Sequence, residues 1–461
     1  MSHFVRASKY RHVFVEAPKT DQCWTGIPVS TTQGEQSYIK GNTKYLAVAV
    51  QGGGGPFAVL PYTKPGRFER GGPLVCGHTS SVLDFDFNPF HEQQLVASCS
   101  EDCTVKVWGI PDEGYTKTET EPLIDLHGHQ RKVTLLRFHP TAQSILASVS
   151  GDMTVKLWDI EKSSEVNTLH GHEHLIQDIV WDYYGTTYAT TCKDKTMRIC
   201  DARTATVAAN VPNVHEGARS AKLTFTGSKE KLISVGFTKQ SQRQFKVWDP
   251  RKLGEPIKKI DIDQAAGVIL PFYDEESCLL YLAGKGDGNI RYYECVDENP
   301  WCFAISEFRS TTAAKGMAMV PKRGLNVMKC ETARLLKLTS SSIEPLSFIV
   351  PRKSDAFQDD LFPPTFSGHS SHTADEWLAG SNKPPKTMDL RPGSGGGAAT
   401  ASSAAAMAKK KAAFSLGKPG AAAAANSPKA GGKDVEKELE MALARVALLE
   451  KVLTDNGLRV P

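Results

Sequence analysis

The chain has 461 residues, enough for up to three ordinary domains or for one large repeat fold with appendages. Its 55 Lys and Arg against 51 Asp and Glu leave a net charge of +4, far from the strongly basic balance of a dedicated nucleic-acid binder. With 40% apolar and 23% charged residues it falls in the globular range, which excludes a fully disordered or fibrous protein.

Met1 to Arg11 holds several charges and no apolar run of signal-peptide length, and the apolar stretch Tyr45 to Val50 is far too short to span a bilayer. A soluble, cytosolic protein is expected. Ten cysteines are scattered without a CxxC pair or the Cys/His spacing of a tetrahedral zinc site, so they read as reduced thiols within strands. No metal and no cofactor are expected.

From the N-terminus, Arg11 to Val15, Tyr45 to Val50 and Phe57 to Leu60 read as strands. Gly52 to Gly55 lies between two of them and is not followed by Gly-Lys-Ser/Thr, so it reads as a hairpin turn rather than a phosphate loop. A repeat then begins. The runs ending at Trp108, Trp158, Cys200, Trp248 and Tyr293 align without gaps, and those residues recur at intervals of 42 to 50. Six residues before each stand Asp102, Asp152, Asp194, Gln242 and Asp287, and upstream of the first three come Gly-His pairs ending at His78, His129 and His172. Gly-His at one end and Trp-Asp at the other is the signature of a WD-repeat β-propeller blade of four strands.

These positions predict structure rather than catalysis. Each imidazole is placed to bond the turn Asp, and each Trp to pack its blade on the next while spending its one N–H donor locally. A hydrolytic His-Asp reading needs a recurring nucleophile, and none recurs. Gly284 to Gly288 resembles a nucleotide loop, but Asp287 falls on the turn position, so it too reads as a hairpin. Residues Phe303 to Val350 add strand-like runs, and the two flanks suffice for one further blade each. The expected fold is all-β, a seven-bladed propeller over residues 1–350, closed by an N-terminal strand that completes the last blade.

From Gly393 to Lys433 the chain is almost entirely Ala, Gly, Ser, Pro and Lys, too poor in apolar surface to fold, and reads as a disordered linker. It holds six lysines, Lys409 to Lys411 among them, and no acid, which suits either a solvated tether or a polybasic contact to an acidic surface such as an anionic membrane. Residues 434–456 then form a helical run. Val435, Leu439, Ala442, Val446, Leu449 and Leu453 alternate at spacings of four and three, the seam of a short coiled coil. Arg445 and Glu450 take the g and e positions of parallel chains. The run Arg445 to Glu450 resembles a short trimer-specifying pattern, so a homotrimer is expected in preference to a dimer.

Several strings resemble one family within the propellers: Val5 to Phe14, Ser100 to Cys103 leading to Trp108-Gly109-Ile110-Pro111, Cys192 to Lys195, Leu282 to Tyr293 and Val350 to Asp355. They are similar to the coronins, actin-binding WD-repeat proteins, and the resemblance runs from residue 1 to about 390. It implies a C-terminal extension at 351–392 packed on one propeller face, and filamentous actin as partner. It further implies a role with the actin-branching complex and cofilin-type severing proteins, at the cytoplasmic actin cytoskeleton and cell cortex, in filament organisation and cell motility. It implies no enzymatic activity.

Many animal coronins carry an actin-contacting Arg in an Ile-Arg-Val-Ser stretch, where this chain reads Ile27-Pro28-Val29-Ser30. The candidate actin contacts are therefore the neighbouring cations Lys9, Arg11, Lys19, Lys40, Lys44, Lys239, Arg243 and Lys285. A generic WD scaffold or trafficking adaptor is the alternative; it leaves the family strings, the linker and the coiled coil unexplained.

Overall fold

The computed structural model describes residues 7–32, 34 and 37–393. The predicted seam (Val435, Leu439, Ala442, Arg445, Val446, Leu449, Glu450, Leu453) and all but the first residue of the predicted linker lie outside the described residues.

The described chain is a seven-bladed β-propeller. Blades 2 to 6 are four-stranded antiparallel sheets whose strands follow in chain order. Blade 2 runs Val82–Phe87, Leu95–Ser100, Val105–Gly109, Ile124–Leu126. Blade 3 runs Val133–Phe138, Ile145–Ser150, Val155–Asp159, Ser164–Leu169. Blade 4 begins at Ile176–Trp181, blade 5 at Lys222–Phe225 and blade 6 at Ile269–Asp274. Blade 1 has Ile39–Gly41, Tyr45–Ala49 and Phe57–Pro61, with Val75 bridged to Phe57 as its outer edge. Alternation of buried and exposed residues is confined to the outer strands: Thr206–Val211 alternates, whereas Leu232–Phe237 is buried throughout, as expected of a strand covered on both faces.

Blade 7 closes the ring. Gly316–Met319, Glu331–Leu338 and Ser342–Ile349 come from the end of the propeller, and the N-terminal strand Phe14–Glu16 supplies the outer edge, Phe14 opposite Ile349 and Glu16 opposite Ser347. The ends of the ring are thus joined by backbone hydrogen bonds, which leaves no unpaired sheet edge at the seam.

Side chains of the innermost strands tie blade to blade. Arg137 of blade 3 reaches back to Asp84 of blade 2 at 3.1 Å and forward to Asp178 of blade 4 at 3.3 Å. Each carboxylate also accepts an N–H from the following blade, Asp84 from Leu136 at 3.1 Å and Asp178 from Leu223 at 2.9 Å. Burial pushes the Asp84 carboxyl up, against the pull of Lys40 and Arg137.

The antiparallel meander places the loops of every blade at two ends. The turns after the second strand and the connections between blades lie at one end; the turns after the first and third strands lie at the other. The two ends are called the turn-Asp face and the extension face below.

Candidate functional site

The repeat residues assemble as relays beneath the turn-Asp face. In blade 2 the Trp108 indole N–H donates to Ser98 Oγ at 2.8 Å, Ser98 lies 2.8 Å from His78 Nε2, and His78 Nδ1 lies 2.9 Å from Asp102. A carboxylate only accepts, so Nδ1 carries the proton, and in a neutral imidazole Nε2 accepts from the serine hydroxyl. Blade 3 repeats this with Trp158, Ser148, His129 and Asp152 at 2.8, 2.7 and 2.9 Å. Burial pushes the Asp152 carboxyl up, but hydrogen bonds from Thr154, His129 and the Gln130 N–H outweigh it and hold it down at about 2. The glycine before His78 is dictated by this packing, since a Cβ on Gly77 would sit 2.4 Å from the Trp108 ring.

The serines Ser98, Ser148 and Ser234 escape a reading based on Gly-His and Trp-Asp, although each recurs in the second strand of its blade. Blade 5 has its own imidazole, His215, which the Gly-His pattern misses because valine precedes it. His215 Nε2 lies 2.9 Å from Ser234, which accepts the Trp248 N–H at 2.8 Å. Gln244, not Gln242, meets its Nδ1, at 3.2 Å.

Blade 4 departs from the expected pairing. His172 bonds Thr190 at 3.0 Å, but its Nδ1 has no hydrogen-bond partner among the described residues. Asp194 instead holds Arg198 at 2.8 Å and caps the turn through the Thr196 N–H at 2.8 Å. In blade 6, Asp287 accepts from Arg243 at 2.8 Å.

That last contact corrects one candidate. Arg243, expected as a surface cation, has only 1% of its side chain exposed and is clamped between Asp263 and Asp287. It begins the third strand of blade 5, between the fully buried Leu232–Phe237 and the outer strand Lys258–Asp263, and its charge is spent on Asp263 of that outer strand and Asp287 of blade 6. Lys40 is likewise engaged, with Asp86 at 3.3 Å near the ring axis.

The other six cations divide between the faces. Lys9, Arg11 and Lys44 lie on the extension side; Lys9 Nζ donates to the Asp360 carbonyl. Lys19, Lys239 and Lys285 lie on the turn-Asp side. There Lys285 is 4.9 Å and Lys315 5.3 Å from the Tyr38 ring centroid, so one aromatic ring gathers two ammonium groups from the blade 6 turn and the blade 6 to 7 connection. Lys315 also donates to the Ser30 carbonyl, and burial lowers its pKa. The segment beside it is anchored by Ile27 N–H to Ser341 and Gln51 N–H to the Pro28 carbonyl, which leaves the Pro28 ring exposed. Lys315 was not among the expected cations; its distance in sequence from Ser30 hides it.

The extension face is covered by residues that follow blade 7. Arg323 donates to the Ser367 carbonyl at 2.9 Å, and His91 N–H to Gly368 at 2.7 Å. Ser371 and His372 bond the Thr141 carbonyl, and the five-residue helix Ala374–Leu378 buries Trp377 completely. Arg203 lies 4.8 Å over the Trp377 ring and donates to its carbonyl at 2.7 Å. Among the described residues no group of three His, Cys, Asp or Glu could hold a metal, and no helix is long and apolar enough to cross a membrane.

Known families match this geometry. The WD domain, G-beta repeat, matches residues 71–109, 120–159 and 163–201, a further type of WD40 repeat matches 343–385, and a domain of unknown function, DUF1899, matches 3–67. Coronin-A of Dictyostelium discoideum is 44% identical over 394 residues, 85% of this chain and 87% of that protein. Human Coronin-2A is 40% identical over 397 residues, 84% of this chain and 75% of its own. The crystal structure of the WD40 domain from Toxoplasma gondii coronin aligns with TM-score 0.78 at 32% identity, covering 83% of this chain and 98% of that one. A chain of the mitotic checkpoint complex, at 13% identity and TM-score 0.55, shares the fold alone. With two curated coronins at 40% identity or better over most of both chains, and a coronin propeller matched nearly end to end, this chain belongs to the coronin family.

Proposed function

We propose that this chain is an actin-filament-binding regulator of the cytoskeleton, working at the cytoplasmic actin cortex as an oligomer. The observation that carries the reading is the 40–44% identity to coronins over most of the chain. The cluster of Lys285, Lys315 and Tyr38 beside exposed Pro28 supports it, because a cationic surface suits an acidic, repetitive filament. Lys239 and Lys19 extend that surface; Lys9, Arg11 and Lys44 would serve a second contact on the extension side.

The protein acts by binding rather than by catalysis. Its His-Asp pairs, the groups nearest in form to a catalytic dyad, are consumed in turn geometry and carry buried imidazoles. In the same reading residues 1–350 are the propeller, 351–392 its extension, 393–433 a basic tether and 434–456 a trimerising helix. Several weak propeller contacts then add through effective concentration. The actin-branching complex, cofilin-type severing proteins and anionic membranes are the further partners this layout suits.

The test is co-sedimentation with filamentous actin of the full chain and of residues 1–392, at low and physiological salt, with light scattering for mass. Binding by the full chain that drops on truncation and with salt supports the reading. If neither chain pellets with actin at any salt, a general WD scaffold replaces it.

A further inference from the structure

Blade 6 carries two cysteines on neighbouring strands and a third in a turn. Cys278 lies in the turn before Leu279–Gly284, Cys295 ends Ile290–Cys295 and Cys302 begins Cys302–Phe308. Cys295 and Cys302 stand directly opposite each other in the antiparallel register, with Sγ atoms 3.7 Å apart. The adjoining pair carries a ladder bond, Val296 N–H to the Trp301 carbonyl at 2.8 Å. The cysteine amides point elsewhere, Cys295 to the Cys278 carbonyl and Cys302 to the Pro300 carbonyl.

Ladder bonds alternate along an antiparallel pair, so Cys295 and Cys302 form a non-hydrogen-bonded pair, the type whose Cα atoms approach to about 4.5 Å. That lies within the span of about 4.4–6.8 Å that a disulfide bridges. Closing the bond needs side-chain rotation and no strand slip.

Both thiols are buried yet reachable. They line a cavity of about 20 Å³ with Tyr273, Trp301, Lys229 and Asp297, room for about one water-sized molecule. Either sulfur can donate in this contact; with the Cys295 S–H donating, it and Lys258 lower the Cys302 pKa against the opposing effect of burial. A thiolate is the nucleophile in thiol oxidation, so Cys302 is the group to react first.

We propose that Cys295 and Cys302 are a peroxide-sensitive thiol pair that closes to an intrachain disulfide. The Cys302 thiolate attacks one oxygen of a hydroperoxide; the O–O bond breaks, and the departing alkoxide or hydroxide takes up the thiol's proton. The resulting sulfenic acid is then attacked by Cys295. The S–S bond forms, the S–O bond breaks, and hydroxide leaves as water with the proton from Cys295. Two thiols lose two electrons, and the peroxide is reduced to an alcohol, or water, plus one water.

The test treats the folded full chain with hydrogen peroxide, blocks free thiols with N-ethylmaleimide in denaturant and maps every cysteine by mass spectrometry. The expected product has Cys295 joined to Cys302, lighter by two hydrogens, closed to alkylation and reopened by dithiothreitol. In the Cys295→Ser chain, dimedone should label Cys302, because the partner that resolves the sulfenic acid is gone. Full alkylation of Cys295 and Cys302 while Cys76 or Cys103 oxidises would overturn the proposal, as would a Cys278–Cys295 link. The wild-type map decides the matter even if the variant fails to fold.

Discussion

Trp377 and His139 share one acceptor: the Trp377 indole N–H reaches the Gly185 carbonyl at 3.2 Å, and His139 Nε2 reaches the same oxygen at 2.8 Å. Their rings meet edge to face at 4.7 Å. One residue of the extension is thereby built into the junction of blades 3 and 4. Trp377→Ala removes a fully buried indole and should cost about 3–5 kcal/mol at that site. The extension should be released first, seen as new proteolytic cleavage between residues 371 and 391 under conditions that leave the propeller intact. Unchanged protection of that segment would mean that Arg203 and the backbone contacts hold it alone.

The relays are expected to differ in strength by blade. Ser148→Ala strands both the Trp158 N–H and His129, two buried polar groups, and should cost about 2–3 kcal/mol. Thr190→Val takes only one bond from His172 and should cost about 1 kcal/mol. Urea unfolding midpoints give the comparison, and equal losses would show that the tryptophan contributes little through its N–H.

Arg137→Met takes the paired cation from the buried carboxylates Asp84 and Asp178, leaving Asp84 only the pull of Lys40, with an expected loss of about 3–5 kcal/mol. Adding Asp84→Asn and Asp178→Asn should recover part of it, since an amide oxygen still accepts the Leu136 and Leu223 N–H groups. A triple variant less stable than the single one would count against charge as the cause.

Stability should fall as the solution is made acidic, starting below the ordinary histidine range. Burial lowers His139 and His215 to about 3 and His172 to about 4, with Arg198 adding to the effect at His172. A folded-state pKa below the unfolded value means that the unfolded chain binds the proton first. The contribution is therefore complete above about pH 6.5 and is lost as pH falls towards 4. Each such imidazole adds about 1.4 kcal/mol per pH unit to the slope in that window. Thermal unfolding between pH 7 and 4 reads it, and His215→Gln should flatten the dependence.

Pro28→Arg places a charge at an exposed position two residues from Ser30, whose carbonyl Lys315 holds. If the filament meets this surface, residues 1–392 should co-sediment roughly fivefold more tightly at low salt, the effect of about 1 kcal/mol. Lys285→Glu should act in the opposite direction. Changes of neither sign would move the contact to the extension side, where Lys9 and Arg11 lie.

The periodic residues carried the architecture because each blade must solve the same turn and packing problem with the same groups. Trp108 and Trp158 are legible from the sequence for that reason. His215 is not, since its blade places Gln244 rather than an aspartate against the imidazole, and the preceding valine breaks the pattern. Arg243 was misread for a different cause. Whether a cation at a strand start is solvated depends on which carboxylates the adjoining strand and the next blade bring, here Asp263 of the outer strand of blade 5 and Asp287 of blade 6. The cluster of Tyr38, Lys285 and Lys315 was half visible for the same reason. For the extension the resemblance implies a place on one propeller face but not the route across it; Trp377 shows no partner until blades 3 and 4 are side by side.

The outer strand of blade 7 is made first and used last. Phe14–Glu16 leaves the ribosome with no partner, and the strand it pairs with follows roughly 330 residues later. At about 5–20 residues per second that wait is on the order of half a minute. Blades 2 to 6 each contain all their own strands and can assemble as they emerge, so ring closure is the final, longest-range step. A nascent chain stalled before Ser342 would hold an open propeller with a bare edge at its end, the kind of edge that invites pairing with another chain.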